Sequence, residues 1–320
     1  MKLKDLKELL TNGDDEVDVD LGKLLSPEQI FIVPEIATSI PVKEGMPANI
    51  KHTCNPGDIV ASMIACKRYY EITKRKVVFL QMINRDAAYY PGANHPTVDE
   101  TGRMVTLNKP MFDMIKPLIE SQYYIHSMEV YNGQEVHVDF EKIRGTTFVN
   151  MPQGSIQAWL FYAFPDLHAD ISKPWIFLDE QKRQIEQVTK GKVILNFTER
   201  YRNSKIMLDY FFLKEYADDL IFAGTEVEHF KFCSRWELHS VPRLEVKDFL
   251  ELAYAIRGAR FLFSNQSMQW NLSCALGTPR LLEVCDYAHN CMPFYGDNNL
   301  GFFHQQAMGH LFRELFNKTK

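Results

Sequence analysis

Between residues 192 and 284 the chain sets four short apolar runs against helical stretches, and this alternation limits what it can fold into more than any other feature. The runs are Lys192-Val193-Ile194-Leu195-Asn196-Phe197, Asp219-Leu220-Ile221-Phe222-Ala223-Gly224, Ala259-Arg260-Phe261-Leu262-Phe263 and Pro279 to Val284. Ser204–Tyr216, Phe249–Arg257 and Met268–Leu276 carry helical patterns between them, the last closed by Gly277. Apolar strands alternating with helices predict a doubly wound parallel sheet, since only a sheet covered on both faces tolerates strands this apolar. Ligands of such sheets lie beyond the carboxyl ends of the strands. That rule nominates Asn196 to Arg202, Gly224 to Glu228 and Ser264 to Asn271.

The first half is less regular. The turn Cys54-Asn55-Pro56-Gly57-Asp58 opens a helix with Ile59, Val60, Met63, Ile64 and Cys66 as its apolar positions. The run Lys76 to Gln81 follows as a buried strand, completing one unit of a second parallel sheet. Gln29 to Val33 reads as a strand, residues 84–110 as a long loop, and Tyr123 to Phe140 as strands joined in a hairpin through Asn132-Gly133. Ser155 to Phe164 reads as helical. The charged stretch Asp179 to Lys190 is a linker or inter-domain helix, and Gln305 to Asn317 is an amphipathic helix that must pack on something. Its expected surface is back across the first domain.

A chain of 320 residues calls for about two domains. The reading is an α/β protein of two Rossmann-like domains facing a cleft: residues 1–178, a linker 179–190, residues 191–300, and a C-terminal helix 301–320. The formal charge of −5 argues against non-specific nucleic-acid binding as the main activity. The start of the chain has no signal-peptide pattern, and no apolar run approaches the length of a membrane span. Cysteines 54, 66, 233, 274, 285 and 291 show no zinc-like spacing and read as thiols of a reducing compartment, so the expected location is cytoplasmic. The N-x-[ST] matches at Asn196, Asn265 and Asn317 then carry no glycosylation.

The segment LEVKDFLELAYAIRGARFLFSNQSMQWNLSCALGTPRL, residues 244–281, resembles the donor-binding end of glycosyltransferase family 9, the heptosyltransferase-type enzymes. FAGTEVE upstream resembles that family's strand ending in Gly and followed by Glu, and CNPGDIVASMIACKR resembles its Gly-Asp opening. All three pieces stand in the family's order. The resemblance implies a GT-B fold and inverting, metal-independent transfer from a nucleotide diphosphate sugar, with no further cofactor. It makes Asp58 the catalytic base. It places Gly224, Glu226, Gln266, Ser267 and Asn271 on the donor, with Arg200, Arg202 and Lys205 supplying charge to the diphosphate. Glu228 is the alternative to Glu226 for ribose hydroxyls. Three positions depart from the family pattern: Gln266-Ser267-Met268 replaces Asp-[ST]-Gly, Asn271 replaces His, and Ile64 replaces Pro.

Each of these residues has a plainer reading. Asp58 can serve the helix dipole, Ser267 can be an ordinary helix cap, and the cations can be solvated surface. Asp18-Val19-Asp20 mimics a D-x-D metal motif but precedes any nucleotide-binding unit. His137 and Asp139 fit an alternating strand, and His95 lies in the long loop. The basic-aromatic stretch from Lys67 to Lys76 leaves open a modified DNA base as acceptor instead of a saccharide or lipid-linked saccharide. The altered donor motif leaves open a non-catalytic sugar-nucleotide-binding module. A GT-B-like epimerase of nucleotide sugars is a further outcome.

Overall fold

The computed structural model describes residues 45–87, 97–145, 155–180, 184–203, 205–288, 290–291 and 298–319. By its internal contacts the chain divides into Met1–Val33 and Pro34–Lys320, and every described residue falls in the second unit. The expected strand Gln29–Val33, Asp18, Asp20 and His95 lie outside the described residues.

Two parallel sheets organise the molecule. The first has strands β1 (Ala48–His52), β2 (Val77–Gln81), β3 (Ile125–Val130) and β4 (Val138–Asp139) in the order β3-β2-β1-β4, with every neighbouring pair parallel. Helix α1 (Pro56–Thr73) crosses from β1 to β2, and α2 (Lys109–Glu120) from β2 to β3. The hairpin expected at Asn132-Gly133 is not formed. Gly133 does turn the chain at φ +92°, but β4 pairs in parallel with β1, on the far side of β2 from β3. A short helix, α3 (Trp159–Ala163), follows a 3₁₀ turn at Ile156–Ala158, where one helix was expected from Ser155.

After α4 (Gln184–Thr189) comes the second sheet, with β5 (Val193–Asn196), β6 (Leu220–Phe222), β7 (Phe261–Asn265), β8 (Arg280–Glu283) and β9 (Asn299–Phe302) in the order β6-β5-β7-β8-β9. All of its pairs are parallel. Helices α5 (Glu226–Arg235), α6 (Phe249–Gly258), α7 (Met268–Leu276) and α8 (Gln305–Lys318) flank it. Beta 9 extends the sheet beyond the strand expected to be last.

Successive side chains of a strand leave on opposite faces, and the two faces of this sheet feed two cores. Ile194, Ile221, Leu262 and Leu282 join a cluster that also holds Ile50, Val60, Phe79, Trp175 and Trp270. Val193, Leu195, Phe222, Phe261, Phe263 and Leu281 join an aromatic cluster with Phe197, Tyr210, Phe232 and Phe312. Phe312 of α8 lies against the rings of Phe212, Tyr216, Phe261 and Phe263. The amphipathic C-terminal helix therefore packs on the second sheet and not across the first.

The helix expected at Ser204–Tyr216 is replaced by irregular chain and a 3₁₀ segment, Phe211–Asp219. Side chains decide the difference. Asn203 Oδ1 accepts from the backbone N–H of Lys205 and Ile206, and Asp209 Oδ1 from that of Phe211. Such local acceptors compete with helical hydrogen bonds.

Candidate active site

Residues at the carboxyl ends of β1, β2, β5 and β6 and at the starts of α1 and α7 line one cavity of about 690 Å³. Its first-half wall includes Gly57, Asp58, Arg85, Asp86, Ile156 and Trp159. Its second-half wall includes Asn196, Arg200, Gly224, Gln266, Ser267 and Gln269. This is where parallel sheets of this kind hold ligands.

Asp58 stands in the first turn of α1, after Pro56 in a position suited to helix starts. Its half-buried side chain faces the cavity. Burial, with the nearby charge of Asp58 among the lesser causes, pushes the Cys291 thiol far above its ordinary pKa. The start of α1 is clasped to α7: Asn271 Nδ2 donates to Gly57 O over 3.3 Å, and Asn271 Oδ1 accepts from Gln157 Nε2 at 2.7 Å. A Cβ on Gly57 would come within 3.1 Å of Asn271 Nδ2, so glycine permits this approach. Asn271 lines the cavity, but its amide is spent on joining Gly57 and Gln157.

The first turn of α7 presents its N-terminus to the same space. Ser267 is its N-cap and accepts from the Trp270 N–H at 3.2 Å. The Gln266 side chain bridges Asn290 and the Cys285 N–H. Both expected residues thus line the cavity while serving local structure. Gly224 lies where a Cβ would fall 2.7 Å from the Phe222 ring and 3.2 Å from Glu228 Oε2.

The three cations after β5 have different fates. Arg200 lines the cavity, and among the described residues its guanidinium has no hydrogen bond or ion pair. Its loop is fixed through the backbone, because Asn265 Nδ2 donates to the carbonyls of Thr198 and Arg200 and Asn265 Oδ1 accepts from the Thr198 N–H. Arg202 turns away to the buried carboxylate of Glu283, 3.0 Å distant, and lies over the rings of Phe197 and Tyr210. Glu283 also accepts from Tyr210 Oη at 2.6 Å, and burial followed by this charge holds the Tyr210 hydroxyl well above its usual pKa. Lys205 is exposed, 3.9 Å from Asp286, and outside the cavity lining. Arg202 and Lys205 are therefore not brought to the site.

The two acids after Gly224 are also separated. Glu226 is exposed and off the cavity wall. Glu228 lines the wall, and its Oε2 accepts from Thr225 N and Oγ1 in a capping box.

On the first sheet His137 Nδ1 accepts from the Asn49 N–H, and Asp139 pairs with Lys51 at 2.9 Å. Both serve the sheet. The basic-aromatic stretch begins about 13.5 Å along α1 from Asp58, at 1.5 Å per residue. There Lys67 and Arg68 pair with Glu71, and Tyr69 is buried.

Arg85, Trp159, Asn196 and Gln269 line the site without having been singled out from sequence. Asn196 and Gln269 fell inside segments nominated by the strand-end rule. Arg85 and Trp159 carried no local signal. Among the described residues no three His, Cys, Asp or Glu side chains gather to hold a metal, and no helix is long and apolar enough to cross a membrane.

In fold the chain is similar to ADP-heptose LPS heptosyltransferase II of E. coli, with a TM-score of 0.51 at 9% identity over 85% of this chain and 99% of that one. It is also similar to the glycosyl transferase family 9 structure from Veillonella parvula, with a TM-score of 0.48 at 11% identity over 88% and 94%. The E. coli heptosyltransferase WaaC with ADP gives a TM-score of 0.47 at 12% identity over 84% and 100%. No family model matches the chain, and no curated protein matches it in sequence. The fold is thus similar to that of a heptosyltransferase, the kind of protein whose motifs the sequence resembles.

Proposed function

We propose that the chain is a metal-independent GT-B glycosyltransferase that moves a sugar from a nucleotide diphosphate sugar to an acceptor hydroxyl with inversion. The two sheets belong to two Rossmann-like lobes, and the cavity between them is the active site. The observation that carries this reading is the convergence of two helix starts. The 3.3 Å contact from Asn271 to Gly57 O joins the start of α1, which carries Asp58, to the first turn of α7, and both Asp58 and Ser267 line the cavity.

Asp58 takes the proton of the acceptor hydroxyl as its oxygen attacks the anomeric carbon. The bond to the diphosphate breaks on the opposite face, so a single displacement inverts the configuration. The leaving oxygens gather charge, met by the N–H groups and dipole of α7 and by the Arg200 guanidinium. A saccharide or lipid-linked saccharide is the acceptor class favoured. The DNA-base alternative is less favoured, because Lys67 and Arg68 of its basic stretch pair with Glu71 and the stretch begins about two and a half helical turns from Asp58. Six buried cysteines, none of them in a disulfide among the described residues, support a cytoplasmic setting.

A second reading draws support from the side chains already committed. Arg202 is held by Glu283, and the Asn271 amide is used between Gly57 and Gln157. A sugar-nucleotide-binding module without turnover fits those facts. The two readings part on nucleotide release from a panel of nucleotide sugars. A transferase is expected to hydrolyse one donor slowly, and Asp58→Ala to slow that release by about a hundredfold. Binding without release, with candidate acceptors present, would favour the module. Binding of no nucleotide or nucleotide sugar would remove both.

A further inference from the structure

Asn196 ends β5, and Gln269 stands in the first turn of α7. Their amides converge on one backbone atom: Asn196 Nδ2 and Gln269 Nε2 donate to Ala223 O over 2.8 and 3.0 Å. This fixes how each amide points, because a flip would set a side-chain oxygen against the Ala223 carbonyl oxygen. The amide oxygens, Asn196 Oδ1 and Gln269 Oε1, are buried and have no hydrogen-bond partner among the described residues. Both residues line the cavity, with exposures of 1% and 8%. Ser264, the register partner of Asn196 on β7, adds a buried hydroxyl without a partner among the described residues. Buried amide oxygens are nearly always paired, so two orphans beside one cavity call for a missing donor.

Resting on the reading of the cavity as a nucleotide-sugar site, we infer that Asn196 and Gln269 form its hydroxyl-reading subsite. A carbonyl oxygen only accepts. The group it takes must therefore donate a proton, which suits a sugar hydroxyl and disfavours a phosphate oxygen. The carboxylates that sequence offered for this task are otherwise placed. Glu226 points to solvent, and Glu228 Oε2 is engaged by Thr225. Recognition of donor hydroxyls has passed to two neutral amides, whose strength varies little with pH or salt. The hydroxyls belong either to the ribose or to the transferred sugar.

Affinity separates these sources. ADP, UDP and GDP are compared with their 2′-deoxy counterparts, and UDP and ADP with UDP-glucose and ADP-glucose, on wild type, Gln269→Leu and Asn196→Ala. Gln269→Leu keeps most of the volume and removes an orphan oxygen, so its melting temperature without ligand is expected to hold or rise. If ribose is read, wild type prefers the ribonucleotide about tenfold and the variants lose that preference. If the transferred sugar is read, the variants lose about tenfold on the nucleotide sugar and nothing on the diphosphate. Affinities unchanged in both variants overturn the inference and leave the transferase reading intact. Failure of wild type to bind any of these probes overturns that reading, and the inference with it.

Discussion

Arg200, Arg202 and Lys205 carry the same charge within six positions, yet only one of them is available to an anion in the cavity. Arg202 is fixed by Glu283, a partner 81 residues away in sequence, and Lys205 stands in solvent. Among the described residues the Arg200 guanidinium has no hydrogen-bond or ion-pair partner, and its loop is pinned by Asn265. A charge-assisted hydrogen bond to a diphosphate is worth about 1.5–3 kcal/mol, or roughly tenfold to a hundredfold. Arg200→Ala is therefore expected to weaken binding of the donor diphosphate by that factor, measured by titration calorimetry. Lys205→Ala should leave the affinity unchanged, and neither should shift the melting temperature. An equal loss in both variants would mean that long-range charge, not contact, attracts the donor. Sequence showed that this loop mattered, because the strand-end rule needs only the strand. The resemblance matched Lys205 best to a Lys of the family, yet Lys205 is outside the cavity lining, and the carboxylate that removes Arg202 belongs to the distant β8.

Elements show the same division between local and distant causes. The apolar runs of β5, β6, β7 and β8 were legible because burial on both faces leaves a compact signature, and Gly277 closes α7 at φ +72° as its position suggested. Helix α5 was not legible: its first turn is acidic, Val227 and Phe230 are exposed, and only Phe232 and Cys233 are buried. Its start is set by the Thr225–Glu228 capping box. The junction of α4 with α6 is also built from distant residues. Thr189 Oγ1 donates to Ala255 O at 2.7 Å, Arg257 pairs with Glu186, and a Cβ on Gly258 would lie 2.8 Å from Glu186 Cα. That obstacle is backbone, so it cannot rotate away. Gly258→Ala is expected to cost about 1–3 kcal/mol by overpacking, read as a lower denaturant midpoint at unchanged slope. A midpoint equal to wild type would show that α4 can move aside at no cost.

At the scale of the molecule, the alternation in the sequence implied two lobes but not how they join. One hydrophobic cluster takes residues from both sheets, from Ile50 and Phe79 to Leu262 and Leu282. Trp175 sits at 0% exposure within it. Its indole Nε1 donates to Val60 O, its carbonyl accepts from Tyr124 Oη, and its own N–H donates to Ala275 O. One residue thus ties α1, the start of β3 and the end of α7. Lobes joined by a small polar interface would melt separately, as linked domains commonly do. An apolar core shared by the two sheets means that loss of either exposes the surface of the other, so unfolding should be one cooperative step. Trp159, Trp175 and Trp270 belong to the shared cluster and Trp236 to the aromatic one, so tryptophan emission mainly follows the join, while far-ultraviolet circular dichroism follows all helices. The two signals are expected to share one midpoint in guanidinium, and a saturating donor should raise it without splitting the transition. If emission changes first, the lobes part before either unfolds, and the cavity then opens by separation of two stable bodies, with donor binding acting to close them.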